Sequence, residues 1–157
     1  MPVKLVCVGR LRERWCNEAA AEYLKRLERL MPVKVMEVRD EPEAEGEALE
    51  RALRAREGER ILKCLSPGDY VIALCVDGQP LTSPALARKL DGLFCRGHSQ
   101  VAFVVGGSLG LGDNVLARAH ERMSMSAMTF PHPLARVMLL EQLYRAAKIN
   151  AGERYHK

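Results

Sequence analysis

No stretch of this sequence comes near the roughly eighteen unbroken apolar residues that a membrane-spanning helix needs, so such a helix is excluded at the outset. Nor is a secretory leader expected. The N-terminus, MPVKLVCVGRLRERW, holds only a short apolar run followed by arginines and has no small-residue cleavage site, so it reads as a first strand and a cytoplasmic location is expected. The five cysteines (Cys7, Cys16, Cys64, Cys75 and Cys95) are odd in number, scattered, and never in a C-x-x-C arrangement. That pattern excludes a disulfide framework and a zinc cluster, and it leaves the thiols as small buried hydrophobes with no metal expected. A strong charge of one sign is also lacking, since the formal net charge is only +4. Repeats, low-complexity tracts and evident linkers are absent as well.

What is present is ordinary material for a globular chain. With 157 residues, 48% of them apolar and 28% charged, one compact domain spanning 1–157 is expected, large enough to need no covalent staples. Val3 to Val8 is nearly all apolar and ends at Gly9, the pattern of a strand covered on both faces. Trp15, Ala19, Tyr23, Leu27 and Leu30 recur at helical spacing and predict a first helix with that stripe inward. Val33 to Val38 is a second strand, and the acidic EVRDEPEAEGEALE leads into a charged, exposed helix ending near Leu65. A turn at Ser66–Asp69 precedes the strand YVIALCV, and Asp77–Pro80 reads as another turn. Ser83 before Pro84 suggests a helix cap, opening a helix to about Cys95. VAFVV is a fourth strand, followed by a brief helix from Asn114 to His120, a fifth strand near Arg122 to Ala127, and a last helix from Pro133. Alternation of this kind predicts an α/β fold with a mainly parallel sheet flanked by helices.

Ligands in such sheets collect at the carboxyl ends of the strands, here Ala73–Cys75, Gly106–Gly112 and Ser126–Pro131. GGSLGLG has four glycines in seven residues, which suits close approach of backbone to a ligand or merely a strand-to-helix turn. It is neither a dinucleotide fingerprint nor a phosphate-binding P-loop, because the third small residue and the Gly-Lys-Ser/Thr are both missing. An uncharged group such as an adenosine fits it better. Pro131 and Pro133 hold His132 on a rigid segment ahead of a helix start, where the positive helix end disfavours protonation. That imidazole is a candidate base, or simply a cap for free amides. In the last helix Leu134, Val137, Met138, Glu141, Tyr144, Arg145 and Lys148 share one side, with Glu141 and Arg145 at i, i+4 as a surface ion pair or as part of a pocket. Met123, Met125 and Met128 read as core filler. From Arg118 onward seven Lys/Arg face three acids, and the chain closes on Arg154, Tyr155, His156 and Lys157, whose donors and rings suit single-stranded RNA.

These residues carry a resemblance. The segment GGSLG at Gly106–Gly110, SAMTFPHPL at Ser126–Leu134, the helix RVMLLEQLYRA at Arg136–Ala146 and the terminal Tyr155-His156-Lys157 resemble, in order and across the whole chain, the ribosomal RNA large subunit methyltransferase H family of the SPOUT superfamily. The resemblance implies S-adenosylmethionine (SAM) as cofactor, a homodimer, a C-terminal trefoil knot, and methylation of N3 of a pseudouridine in 23S rRNA; with so few basic residues, the assembled ribosome rather than naked RNA is the expected substrate, and no DNA or membrane partner is expected. By position it implies cofactor contacts at Leu74, Gly107, Ser126, Ala127, Met128, Thr129, Phe130 and Pro131; within that reading Tyr155 and His156 are expected to orient the base, Arg145 to grip a phosphate, and His132 and Glu141 to support the pocket. One departure stands out: Arg154 sits where the family often has proline. The rival expectation from the residues alone is a non-catalytic RNA-binding or ribosome-associated module whose glycine loop is structural.

Overall fold

The computed structural model describes residues 2–157. Five strands, β1 (Val3–Val8), β2 (Val33–Val38), β3 (Tyr70–Pro80), β4 (Val101–Val105) and β5 (Glu121–Ser124), form one sheet in the order β2-β1-β4-β3-β5, with every pairing parallel. The central strands are apolar along their length because helices cover both faces: β4 is buried at all five positions and β1 at five of six. Helices α1 (Arg14–Leu27), α3 (Ser83–Cys95) and α5 (His132–Asn150) pack on one face around Leu5, Phe103, Leu90, Leu139 and Leu143. Helices α2 (Glu47–Cys64) and α4 (Asp113–Arg118) cover the other, around Val6, Val71, Val104 and Ile61.

Several local expectations shift. The fully buried residues of α1 are Cys16, Ala20 and Leu27; of the stripe the spacing suggested, Leu27 is buried and Ala19, Tyr23 and Leu30 pack against the same core, but Trp15 stands 56% exposed. Helix α2 is not wholly solvated, because Leu53, Glu57, Gly58 and Ile61 turn inward against the sheet and α4. The cap of α3 is Thr82, whose side chain accepts from the Ala85 amide at 3.2 Å, with Ser83 already inside the helix. Ser83 instead donates across to Gln142 of α5 at 2.6 Å. Asp77–Pro80 is no simple turn: β3 pairs with β5 at Leu74, leaves the ladder, and pairs again at Gln79 and Pro80, so residues 75–78 form an outward excursion in a continuing strand. Strand β5 ends at Ser124, so Met125 to Pro131 is loop. Helix α5 lies between α1 and α3, and its deepest residues are Arg136, Leu139, Leu140, Leu143 and Ala146. Of the side expected to be its stripe, Leu134, Met138, Glu141, Arg145 and Lys148 are only partly buried.

Candidate functional site: a cleft at the carboxyl ends of three strands

The carboxyl ends of β3, β4 and β5 open into a cleft of about 720 Å³, inside the usual range for a small-molecule site. Three segments wall it: Leu74–Asp77, Val105–Leu111 and Ser124–His132, with Ala135 behind. The glycine loop is shaped by close contacts. A Cβ at Gly106 would come within 2.9 Å of the Gly110 carbonyl carbon, and one at Gly107 within 3.0 Å of Val8 Cγ1. Gly110 has φ +80 and returns its amide to the Gly107 carbonyl at 3.0 Å. Across the cleft a Cβ at Gly78 would lie 2.7 Å from the Met123 carbonyl carbon, so the excursion of β3 rests directly on the backbone of β5. The Ser124 hydroxyl donates to the Ser126 carbonyl at 2.9 Å, and the Ser126 hydroxyl accepts from the Met128 amide at 3.0 Å, which fixes the third wall.

The electrostatics of this cleft are sparse. Its lining contains no lysine or arginine, and Asp77 is its only acid. Burial, with the Asp77 charge nearby, pushes the Cys75 thiol up and keeps it protonated. Burial, reinforced by the Arg136 guanidinium and opposed by Asp40, holds His132 below the usual imidazole range and therefore neutral at physiological pH. Arg136, one turn on, is 4% exposed; it donates to Glu37 at 2.6 Å and to the Gly9 carbonyl at 2.9 Å, tying α5 to the ends of β1 and β2. Beneath the glycine loop, Glu57 is 2% exposed, accepts from the Glu41 amide at 2.8 Å, and leaves its other oxygen without a partner among the described residues.

Of the residues singled out from sequence, Leu74, Gly107, Ser126, Met128, Thr129, Phe130, Pro131 and His132 line this one cleft, while Ala127 is exposed on the same loop without facing it. Met128 is 72% exposed at the rim and is not core filler; Met123 is, at 4%. Glu141, Arg145, Tyr155 and His156 form a separate cluster. Glu141 accepts from Arg145 at 2.6 and 3.1 Å and from the Tyr155 hydroxyl at 3.2 Å. Arg145 lies over the Tyr155 ring at 4.7 Å and reaches His156 Nδ1 at 3.3 Å, and Tyr155 meets Tyr144 edge-on at 4.9 Å. The tail is thus docked on α5, and at about 1.5 Å per residue Glu141 lies roughly 14 Å along the helix from His132. Arg154 is exposed. Sequence reasoning missed Val76 and Asp77 as wall residues; the signal was Gly78, which the strand needs where it leaves its ladder.

Comparison with known proteins agrees with this architecture. The family described as "Predicted SPOUT methyltransferase" matches residues 1–156. Proteins named "Ribosomal RNA large subunit methyltransferase H" from Bifidobacterium adolescentis and Bifidobacterium animalis subsp. lactis are 49% and 50% identical, each over the full length of both chains. The protein of that name from an Exiguobacterium species is 47% identical, again over all of both chains. A five-stranded parallel sheet with its cleft at the carboxyl ends, matched from end to end by this family, means that the chain belongs to the SPOUT methyltransferases.

Proposed function

We propose that this protein transfers a methyl group from SAM to N3 of a pseudouridine in the RNA of the large ribosomal subunit, acting on the assembled particle. The observation that carries the cofactor assignment is the charge pattern of the cleft. Cationic side chains favour a phosphate-bearing cofactor, and the lining has none. SAM is net cationic, with an uncharged nucleoside and a sulfonium, and a largely apolar cleft with one acid and many backbone amides fits it. Leu74, Gly107, Met128, Phe130 and Pro131 would hold it, while the tight contacts at Gly106 and Gly78 keep the walls close together. When bound, SAM supplies an electrophilic methyl group.

The chain's own residues then have to orient the acceptor and deal with its proton. Alignment of acceptor nitrogen and methyl carbon supplies much of the acceleration in such a transfer. N3–H must also lose a proton, and the neutral His132 imidazole in the wall would accept or relay it. Tyr155 and His156 would orient the base, Arg145 would grip a phosphate, and Glu141 would hold Arg145 and Tyr155 in place through its hydrogen bonds, with His156 tied in through Arg145. Because this cluster sits some turns along α5 from its own cleft, we assign it to the cleft of a second copy in a homodimer. The docked course of residues 125–131, from β5 at one edge of the sheet to α5 beside Gly9, supports the trefoil crossing expected there. The end-to-end kinship with proteins named for large-subunit RNA methylation supports the substrate.

Titration calorimetry with SAM, followed by turnover on unmethylated large subunits, tests this. Tyr155→Ala and His156→Ala are expected to lower turnover at least a hundredfold and leave SAM affinity within about twofold. Wild-type turnover in either variant contradicts the tail assignment, and no SAM binding by the parent protein would leave the non-catalytic RNA-binding module as the better reading.

A further inference from the structure

The geometry points to a second RNA contact outside the cleft: we infer that the loop after β1, with Arg10, Arg12, Arg14 and Trp15, is a platform for an unpaired segment of ribosomal RNA flanking the acceptor. This rests on the proposed rRNA substrate. A tryptophan on the first turn of a helix ought to be the best anchor available to the core, yet Trp15 is 56% exposed while its neighbour Cys16 takes the buried position. An indole left in water beside guanidinium groups is the combination that stacks on unpaired bases and meets phosphates.

The platform is rigid, which separates it from a frayed loop. Leu11 is buried and turns Arg10 and Arg12 outward on either side of it. Asn17 Nδ2 donates to the Leu11 carbonyl at 2.6 Å, and the Asn17 amide donates to the Glu13 carbonyl at 3.1 Å. Arg136 holds the Gly9 carbonyl from α5. The loop therefore adjoins the cleft, since Val8 touches Gly107 and Arg136 lies one turn from His132.

Charge selects the occupant. Among the described residues neither Arg10 nor Arg12 has an acidic partner, and Arg14 shares only an exposed contact with Glu18 at 2.8 Å. Glu13 lies within the loop, and the acid-rich connection from Asp40 to Glu50 borders it on the β2 side. A second copy is the poorer occupant, because a two-fold interface centred here would set arginines against arginines.

Cosedimentation of the full chain with unmethylated large ribosomal subunits, which needs no turnover, tests the platform. Trp15→Ala and the double variant Arg10→Ala/Arg12→Ala are each expected to weaken subunit binding by about tenfold or more. The double variant should also flatten the dependence of log affinity on log salt by about 1.4, near 0.7 for each phosphate no longer neutralised. SAM affinity and the thermal midpoint stay at wild-type values, which separates a weakened RNA surface from a damaged fold. Unchanged affinity and salt slope would overturn the platform. So would a Trp15→Ala protein that changes from dimer to monomer in sedimentation, which would make the patch a self-association face. A parent protein that binds subunits through this loop yet transfers no methyl group would overturn the proposed activity and leave the platform standing.

Discussion

Glu57 is an acid in a place that gives it little. Its side chain is 2% exposed, one oxygen is unpartnered, and burial, aided by the charges of Asp40 and Glu41, raises its pKa above the ordinary 4.5. A carboxyl whose folded pKa is raised binds more protons folded than unfolded, so it weakens the fold as pH climbs past the unfolded value and on through the folded one. Glu57→Gln keeps an acceptor for the Glu41 amide and removes the ionisable group. It is expected to gain on the order of 1 kcal/mol over the parent protein at pH 8 and nothing at pH 4, read from urea unfolding at both values. An equal difference at the two pH values contradicts this. None of that was legible in the sequence, where Glu57 is one acid among many in a charged helix. Trp15 misled in the opposite direction: its spacing matched an inward stripe that Ala19, Tyr23, Leu27 and Leu30 do follow, but at the first turn Cys16 takes the buried position instead. Periodicity fixes a face to within one position, and one position decides which side chain reaches solvent.

At the scale of elements the strands and the crossover pattern were readable because each central strand is buried on both faces and therefore continuously apolar. The cleft's location followed from the same fact. The excursion of β3 was not readable, since whether Asp77–Pro80 turns back or rejoins the ladder depends on β5, which lies some forty residues on in sequence. Gly78 is the hinge of that arrangement. Gly78→Ala would place a methyl carbon 2.7 Å from the Met123 backbone, where nothing flexible can yield. It is expected to push β3 off β5, open the wall carrying Leu74 and Asp77, and weaken SAM binding at least tenfold by calorimetry. Thr82→Ala, which removes the α3 cap, should lower stability by about 1 kcal/mol with SAM affinity unchanged. Equal binding loss in both variants would mean that the effect is general destabilisation.

For the whole molecule, the separation of the tail cluster from the cleft was invisible in a linear reading. His132, Glu141 and Arg145 were expected to act around one pocket, but a helix of 19 residues carries its two ends to different neighbours. In a homodimer whose tails serve the partner's cleft, Gly78→Ala and Tyr155→Ala proteins are each inactive. A one-to-one mixture allowed to exchange should recover roughly a quarter of wild-type activity, because half the dimers are mixed and each of those has one intact site. No recovery would place tail and cleft within one chain. The measurement that bears most directly on the central claim is methyl transfer itself: unmethylated large subunits incubated with the protein and SAM labelled on its methyl carbon, then nuclease digestion and mass spectrometry of the RNA. The account predicts one labelled methyl group, on N3 of a single pseudouridine. Label on another base, or RNA without label from a protein that binds SAM, would contradict it.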